Sequence, residues 1–454
     1  MKKGLQQVFI FNLIFLGISI GINFMLPKFL SIESYASFKT YALYLSYAGL
    51  FHFGYNDGMY LKYGGMDLKD IDRKDFSRNF YNYFILELAV SLMVCSFGVV
   101  FRDYILVAFA FGMLATNIIG YFKSFYQSIG EFKLYGTSLN LEKLVLFLAY
   151  LVMILGLKSD AAALYIWGQI LIEFVIAGFL VLYLNRSYPF LRYFKLSFSE
   201  IVSNIRNGFI LMLGNFANGF FTGIDRWFVK LLMSTASFAA YSFSVTLENM
   251  VNVFVTPISI TMYNSFAKNP DKNYISRTKS IVLLWGPLII MAAFPCKWFL
   301  EHFMTKYISA SNIIFLLFAT QQFYVIIKGI YINYYKVVNC QKKYLKQVLI
   351  MTAVSICLNV VFYGIFRSME GIAGATLLTS VIWFLTCEIS GKELRCSLKE
   401  YVALILYLLS YLLCGVYLNA VMGFIVYILC LMVITSAFCR NNFRMVLSFL
   451  KDRD

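Results

Sequence analysis

Long apolar segments recur along almost the whole sequence and restrict the possible folds more than any other feature. The chain is 60% hydrophobic and 19% aromatic, and a run of about 20 mostly apolar residues is long enough to cross a bilayer as a helix. A helix satisfies its own backbone hydrogen bonds, which lipid cannot do. We therefore predict an all-α polytopic membrane protein with about fourteen transmembrane helices. The predicted spans are 8–26, 37–56, 80–101, 104–127, 141–157, 161–184, 206–232, 237–264, 280–300, 309–337, 344–366, 371–390, 400–418 and 420–438.

Basic residues are distributed unequally between the two sides of the predicted helices. When Lys2 and Lys3 are placed in the cytoplasm and the loops alternate, most of the 39 Lys and Arg residues fall on the cytoplasmic side. This bias follows the positive-inside rule, so we predict a multi-pass protein with both termini cytoplasmic. The net charge of +16 then reflects orientation in a membrane and not binding to nucleic acid. The first span continues to Lys28 without a small-residue cleavage site, which favours an uncleaved anchor.

Two weak internal repeats predict a duplicated architecture. A shift of 203 residues sets Ser34 on Ser237, and a shift of 209 residues aligns 126–135 with 335–344. A duplicated set of six helices enters the membrane in the same orientation both times, because six is an even number. We predict two parallel six-helix lobes around a central cavity, followed by a C-terminal helix pair. The predicted domains are 1–197, 198–396 and 397–454.

The seventh span carries a ladder of polar residues at helical spacing. These residues are Asn207, Asn215, Asn218, Thr222 and Asp225, with Arg226 directly after them. On a continuous helix their side chains would share one face. Unsatisfied polar groups at membrane depth cost several kcal/mol, so such a face must line protein or water. The pattern favours a solvated cavity that contacts a transported substrate. An Asp225–Arg226 cap near the outer end of the helix is the alternative.

Other spans present polar faces that complete the candidate substrate-binding set. The first span supplies Asn12, Ser19 and Asn23, and the eighth supplies Glu248 and Asn252. The tenth supplies Lys328, which is predicted to share one helical face with Tyr331. The Glu248 carboxylate is suited either to proton exchange or to a structural pair. The Lys328 ammonium is suited either to binding phosphate or to snorkelling towards the headgroups.

Motifs for nucleotide hydrolysis and for common hydrolytic enzymes are absent from the sequence. It contains no Walker A loop, no H-E-x-x-H motif and no G-x-S-x-G motif. Its nine cysteines include no C-x-x-C pair, so neither a disulfide framework nor a metal site is predicted. We therefore expect a protein that is not an enzyme and has no catalytic residues, metal or cofactor.

Three segments carry a resemblance to a known family. They are the N-terminal segment 1–31, the run YAGLFHFGYNDGMYLKYGG from Tyr47 to Gly65, and the looser GIAGATL run from Gly371 to Leu377. Together with the pattern of six, six and two spans, they resemble bacterial oligosaccharide flippases of the Wzx type. These flippases belong to the multidrug/oligosaccharidyl-lipid/polysaccharide exporter superfamily.

The resemblance implies a substrate, a location and a mechanism. Oligosaccharide repeat units on undecaprenyl pyrophosphate would pass from the cytoplasmic to the outer leaflet of the bacterial inner membrane by alternating access. The product would serve O-antigen or capsule biosynthesis. The partners implied are this lipid-linked oligosaccharide and membrane lipids; coupling to protons, to sodium or to neither ion stays open. A functional monomer associated with a polysaccharide polymerase is the expected assembly.

Other functions are less well supported by the sequence. A cation-coupled multidrug exporter of the same superfamily commonly has an acidic residue in the first span, whereas Asn12, Ser19 and Asn23 are uncharged. A lipid II flippase is expected to have several basic residues in the N-terminal cavity, which the sequence does not supply. A membrane-embedded polysaccharide polymerase or acyltransferase would need a large outer loop or an embedded histidine with polar partners. The predicted outer loops are short, and His52 has no obvious set of polar partners.

Overall fold

The computed structural model describes residues 2–251, 255, 259, 262, 265–266, 271–338, 340–440 and 442. Within these ranges the side chains at 2–13, 15, 16, 139, 218, 341 and 392 fall outside the description. The described residues form helices joined by short connections, with no β-strand among them. The chain divides into two compact units, Met1–Gly219 and Phe220–Asp454.

The first unit is built from helices α1 to α8, the last of which ends just beyond the unit boundary. Asp72 and Asp103 accept backbone N–H groups at the starts of α4 and α5, a role for which Asp is strongly preferred. A π-helical turn, Val152–Gly156, extends α6. The helices are α1 (Lys2–Phe29), α2 (Ile32–Leu45), α3 (Tyr55–Tyr63), α4 (Arg73–Val100), α5 (Tyr104–Ser128), α6 (Phe132–Leu151), α7 (Ala162–Ser187) and α8 (Phe198–Phe221).

The second unit contains helices α9 to α18 in its described part. A π-helical turn, Ile327–Tyr331, joins α13 to α14. Ser397 and Glu400 form a capping box at the start of α17. The helices are α9 (Ile224–Leu232), α10 (Thr235–Met250), α11 (Lys272–Ile290), α12 (Ala293–Phe303), α13 (Ser311–Ile326), α14 (Ile332–Val337), α15 (Gln341–Phe366), α16 (Met369–Ser390), α17 (Leu398–Tyr417) and α18 (Ala420–Phe438).

Ten helical segments in the described part of the chain are long and apolar enough to cross a membrane. They coincide with the predicted spans from 80–101 to 161–184 and from 280–300 to 420–438. The other predicted spans correspond to α1, to α2 with α3, to α8 with α9, and to α10 with residues largely outside the described ranges. The division into domains 1–197, 198–396 and 397–454 stays a prediction.

Buried carboxylates of the first unit find their partners inside it. Glu87 accepts a hydrogen bond of 2.8 Å from the Asn117 amide. Glu173 accepts hydrogen bonds from the Thr116 hydroxyl at 3.0 Å and from the Gln169 amide at 2.7 Å. Each of these contacts joins different helices or successive turns, so these groups stabilise helix packing.

The first sequence repeat coincides with equivalent helix starts in the two units. Ser31 precedes α2 and Ser234 precedes α10, and these positions are 203 residues apart. Each serine accepts the backbone N–H of the residue three positions further on, at 3.2 Å for Ser34 and 3.1 Å for Ser237. The same N-cap therefore begins the same element in both units.

The second repeat coincides with an equivalent connection between helices. In the first unit one helix ends at Ser128 and the next begins at Phe132. In the second unit the corresponding helices end at Val337 and begin at Gln341, in each case 209 residues later. In each connection a backbone N–H bonds a carbonyl five residues earlier. Glu131 donates to Tyr126 and Cys340 to Tyr335, both at 2.8 Å. The two repeats are therefore visible in local structure as well as in the amino-acid sequence.

Candidate functional site

The helix that carries the predicted polar ladder is interrupted. α8 ends at Phe221 and α9 begins at Ile224, with Thr222 and Gly223 in a turn between them. The prediction of one continuous polar face from Asn207 to Asp225 is therefore wrong. Glycine is a poor helix former, and an acidic side chain in the first turn of a new helix is favoured by the helix dipole. Gly223 therefore favours the end of α8, and Asp225 favours the start of α9.

A small enclosed chamber of about 40 Å³ lies inside the second unit. Four of the predicted substrate-binding residues line it, namely Thr222, Asp225, Glu248 and Lys328. Further polar groups in its wall come from Asn249, Thr320, Gln321 and Thr376. A polar space of this size can hold water or a small ion. A sugar headgroup does not fit in it.

Asp225 is held on both carboxylate oxygens. One oxygen accepts the Tyr241 hydroxyl at 2.8 Å, and the other accepts the backbone N–H of Arg226 at 2.8 Å. The side chain is buried, so these bonds replace the water that the carboxylate loses. Asp225 thus lies in the first turn of α9 and forms part of the chamber wall, while its contact with substrate stays a prediction.

Glu248 and Lys328 bring opposite charges to the same chamber. The Gln321 amide donates to Glu248, while the Lys328 ammonium lies 5.1 Å from the centroid of the Tyr324 ring. Gln321, Tyr324 and Lys328 come from the tenth predicted span. The Lys328 side chain therefore faces a polar space inside the second unit. Its interaction with phosphate or with headgroups stays a prediction.

Arg226 is half-buried and points its Nε into the protein. Among the described residues this Nε has no hydrogen-bond partner, and the guanidinium forms no ion pair with Asp225. A buried donor without a partner is uncommon and calls for an explanation such as a ligand or bound water. Binding of substrate by Arg226 stays a prediction.

The remaining predicted site residues lie elsewhere in the chain or outside the described ranges. In the first unit, the Asn215 amide donates to Asp57 at 3.3 Å. Ser19 and Asn23 are half-buried on α1. The side chains of Asn12 and Asn218, and the whole of Asn252, lie outside the described residues. Binding of substrate by these residues stays a prediction.

A π-helical turn separates residues that the sequence placed on one helical face. The tenth span was expected to present Lys328 and Tyr331 side by side, but both lie in the turn Ile327–Tyr331. Lys328 lines the chamber, whereas the Tyr331 hydroxyl donates to Glu388 at 2.6 Å. The expectation of a single face is therefore wrong. π-turns are often found at functional sites, and this one serves two buried charged sites.

Sequence reasoning missed the hydroxyl groups of the chamber. Thr320 stands next to Gln321 and Gln322 in the sequence, and Thr376 lies inside the GIAGATL run. A threonine in a membrane helix commonly bonds its own backbone, so neither residue carries a distinctive signal in one sequence. Only the packing of α13 and α16 in the second unit identifies them.

Comparison with known proteins adds solved structures of the same fold. No family model and no curated protein matches the sequence. The lipid II flippase MurJ in an inward-closed conformation matches with a TM-score of 0.69 at 14% identity, covering 97% of this chain and 99% of MurJ. Inward-facing and outward-facing structures of a multidrug resistance MATE family transporter of the MOP superfamily match with TM-scores of 0.54 and 0.53. The chain has the fold of these transporters.

The MATE matches are at 11% and 13% identity and cover 84% and 86% of this chain and 95% of each transporter. At such low identity the likeness concerns the fold and not individual residues. It confirms the predicted all-α polytopic membrane fold, because these structures belong to multi-pass membrane transporters.

Proposed function

We propose that this protein is a flippase for undecaprenyl-pyrophosphate-linked oligosaccharide repeat units. It moves them from the cytoplasmic to the outer leaflet of the bacterial inner membrane by alternating access, for O-antigen or capsule biosynthesis. The observation that carries the proposal is the match to a lipid II flippase over 97% of the chain. The sequence resemblance to Wzx-type flippases supplies the oligosaccharide.

The chamber of the second unit supports a transport function by its composition. Charged residues within membrane segments are rare and usually functional, and Asp225, Glu248 and Lys328 share this small space. Its size suits water or a small ion, so its role in the proposal is coupling to a proton or sodium gradient. The polar residues Ser19, Asn23 and Asn215, with Arg226, are assigned to the substrate itself.

A cation-coupled multidrug exporter is the second candidate. The matches to MATE family transporters favour it, and so does a carboxylate-lined chamber that could serve ion coupling. The uncharged polar face of the first span favours the oligosaccharide instead. Both candidates are transporters, and neither requires a catalytic group.

The leaflet distribution of lipid-linked glycan tests the proposal directly. In cells depleted of the protein, outward-facing glycan is labelled with a membrane-impermeant reagent before and after membrane disruption. We expect complete repeat units to accumulate on the cytoplasmic side. Absence of any accumulated intermediate would favour drug export, and accumulation of outward-facing, unpolymerised units would place the protein after translocation.

The chamber yields a prediction that separates stability from transport. Glu248→Gln should lower the midpoint of thermal unfolding, because it leaves the Lys328 ammonium in the same chamber with one carboxylate fewer. The double variant Glu248→Gln/Lys328→Gln should recover most of that midpoint. Transport should fall by roughly tenfold or more in both variants, equivalent to about 1.4 kcal/mol in the barrier.

The matched control for this prediction is Glu393→Gln, which changes a glutamate that is 58% exposed and whose partner Lys272 is 55% exposed. It should leave both the unfolding midpoint and transport unchanged. Normal transport by the stable double variant would remove the chamber from the mechanism.

A further inference from the structure

A polar groove opens on the first unit where α3, α4 and the start of α8 meet. Its volume is about 880 Å³, far larger than the chamber of the second unit. The polar groups in its wall include Ser199, Ser203, Asn204 and Asn207 of α8, together with Lys62 and Arg78. Apart from Asn207, its lining residues fall in 57–79 and 185–206, segments whose many basic residues predict a cytoplasmic position.

Glycines allow α3 and α8 to touch through their backbones beneath this groove. A Cβ atom at Gly58 would lie 2.1 Å from the Asn204 carbonyl oxygen, and one at Gly208 would lie 2.0 Å from the Gly54 carbonyl oxygen. No side chain can occupy either gap. The close approach fixes Asn204 and its neighbours on α8 relative to α3, so the groove is a formed feature of the unit.

The charges at the groove form a closed network. Lys62 lies 2.8 Å from Asp75 and 2.9 Å from Glu200. Arg78 lies 2.8 Å from Asp75 and also contacts Glu200. Each cation is shared by both carboxylates, so the two positive and two negative charges cancel. All four side chains retain some contact with solvent.

This network determines which headgroup the groove can accept. A multiply anionic group would have to separate Lys62 and Arg78 from their carboxylates and would be repelled by Glu200. A sugar hydroxyl can instead donate to a carboxylate oxygen and accept from a cation or an amide, without breaking the network. Serine and asparagine side chains offer the same two-way hydrogen bonding. The groove therefore suits an uncharged, hydroxyl-rich ligand.

Apolar side chains near the groove indicate that it lies close to lipid. Leu61 lines the groove and is 55% exposed, and Phe198, next to Ser199 at the start of α8, is 79% exposed. The preceding loop is fixed by Asn185, whose side chain accepts backbone N–H groups at 3.0 and 3.1 Å. Exposed aromatic residues beside polar ones are typical of a membrane interface.

We propose that this groove binds the uncharged sugar headgroup of a lipid-linked glycan while its lipid tail stays in the bilayer. The inference rests on the proposed flippase function and names a binding site for its substrate at the predicted cytoplasmic surface. Ser203, Asn204 and Asn207 contact the sugar, and Lys62, Arg78 and Glu200 offer further donors and acceptors at its edge.

Photo-crosslinking of the full-length protein in living cells tests the site whatever the composition of the glycan. A benzophenone amino acid is placed at Asn207, and cells are labelled with [³²P]phosphate before irradiation. The matched control position is Ile210, which is 74% exposed on the same helix. We expect an adduct at Asn207 that carries ³²P and a sugar mass, with the labelled lipid diphosphate released by mild acid, and none at Ile210.

Three results would overturn the proposal. They are a phospholipid adduct without sugar at Asn207, equal glycan adducts at both positions, or no adduct at Asn207. The leaflet distribution of glycan is measured in the same cells. Normal translocation with no glycan adduct would reject the groove and leave the flippase function intact, whereas outer-leaflet glycan that is unchanged in cells depleted of the protein would count against both.

Filling the groove provides an independent check. Ser203→Leu should reduce the Asn207 glycan adduct several-fold, because the larger side chain occupies the space of the sugar. Ser436→Leu changes a serine that is also helical and exposed, far along the sequence on α18, and should leave the adduct unchanged. An unchanged adduct in Ser203→Leu, at equal protein levels, would contradict the proposed contact.

Discussion

Replacing Lys279 with methionine is expected to lower the free energy of unfolding by about 3–5 kcal/mol, because it leaves the buried Glu388 carboxylate without its counter-charge. The Lys279 ammonium lies 2.5 Å from Glu388, and the two side chains are only 3% and 2% exposed. It also donates to the Tyr331 hydroxyl at 3.1 Å and to the Leu394 carbonyl. Equilibrium unfolding of the purified protein measures the loss.

The same helix offers a matched control. Lys272 of α11 pairs with Glu393, but the two side chains are 55% and 58% exposed, and exposed ion pairs contribute little to stability. Lys272→Met should therefore leave the unfolding transition unchanged. If Lys279→Met and Lys272→Met lowered the free energy of unfolding equally, burial of the ion pair would not explain the loss of stability.

The double variant Lys279→Met/Glu388→Gln tests the cause of the loss. In the unchanged protein, the Cys396 backbone N–H and the Tyr401 hydroxyl each donate to Glu388 at 2.7 Å. The double variant removes both charges but keeps an amide oxygen that can accept these two hydrogen bonds. Replacing a buried ion pair by neutral groups is often much less costly than breaking it. We therefore expect the double variant to be more stable than Lys279→Met alone.

Leucine at Gly208 is expected to be strongly destabilising, because the α3 backbone occupies the space of its side chain. A Cβ atom there would lie 2.0 Å from the Gly54 oxygen and 2.3 Å from the Gly58 nitrogen. Overpacking typically costs about 1–3 kcal/mol, and occasionally more. Backbone atoms cannot rotate away as a side chain can, so we expect a loss at or above the upper end. Thermal unfolding and proteolysis of the loop before α8 would report it.

Gly214→Leu on the same helix is the control, since a Cβ atom at Gly214 would meet nothing within 4 Å. Replacing glycine within a helix by a good helix former gains up to about 1 kcal/mol. The two substitutions should therefore change stability in opposite directions. A stable Gly208→Leu protein would contradict the close contact of α3 with α8.

The helices could be predicted from the sequence because their cause is local. Segments such as 104–127 and 420–438 are apolar throughout, and the structure begins and ends their helices within a few residues of the prediction. The repeat was detectable for the same reason, since Ser31 and Ser234 act through their own neighbours. Fold class therefore follows from composition and short-range pattern.

The candidate site could be predicted only in part, because its geometry depends on contacts between distant segments. Asp225, Glu248 and Lys328 stood out as charges in apolar helices, and they do share a chamber. The break at Gly223 and the turn at 327–331 could not be foreseen, since helical spacing was assumed to be continuous. The groove was missed because Lys62 and Glu200, 138 residues apart, meet only after folding.

The π-turn at Ile327–Tyr331 gives the second half of the repeat a feature that the aligned stretch of the first half lacks. That stretch of the first half is an uninterrupted α-helix with apolar Ile119 and Phe122 where the second half has Lys328 and Tyr331. The shift of 209 residues sets Gly120 on Gly329 inside the turn and still aligns 126–135 with 335–344 after it, so no inserted residue separates them. The wider turn therefore redirects side chains at constant sequence spacing: Lys328 lines the chamber, and the Tyr331 hydroxyl binds the Glu388 carboxylate.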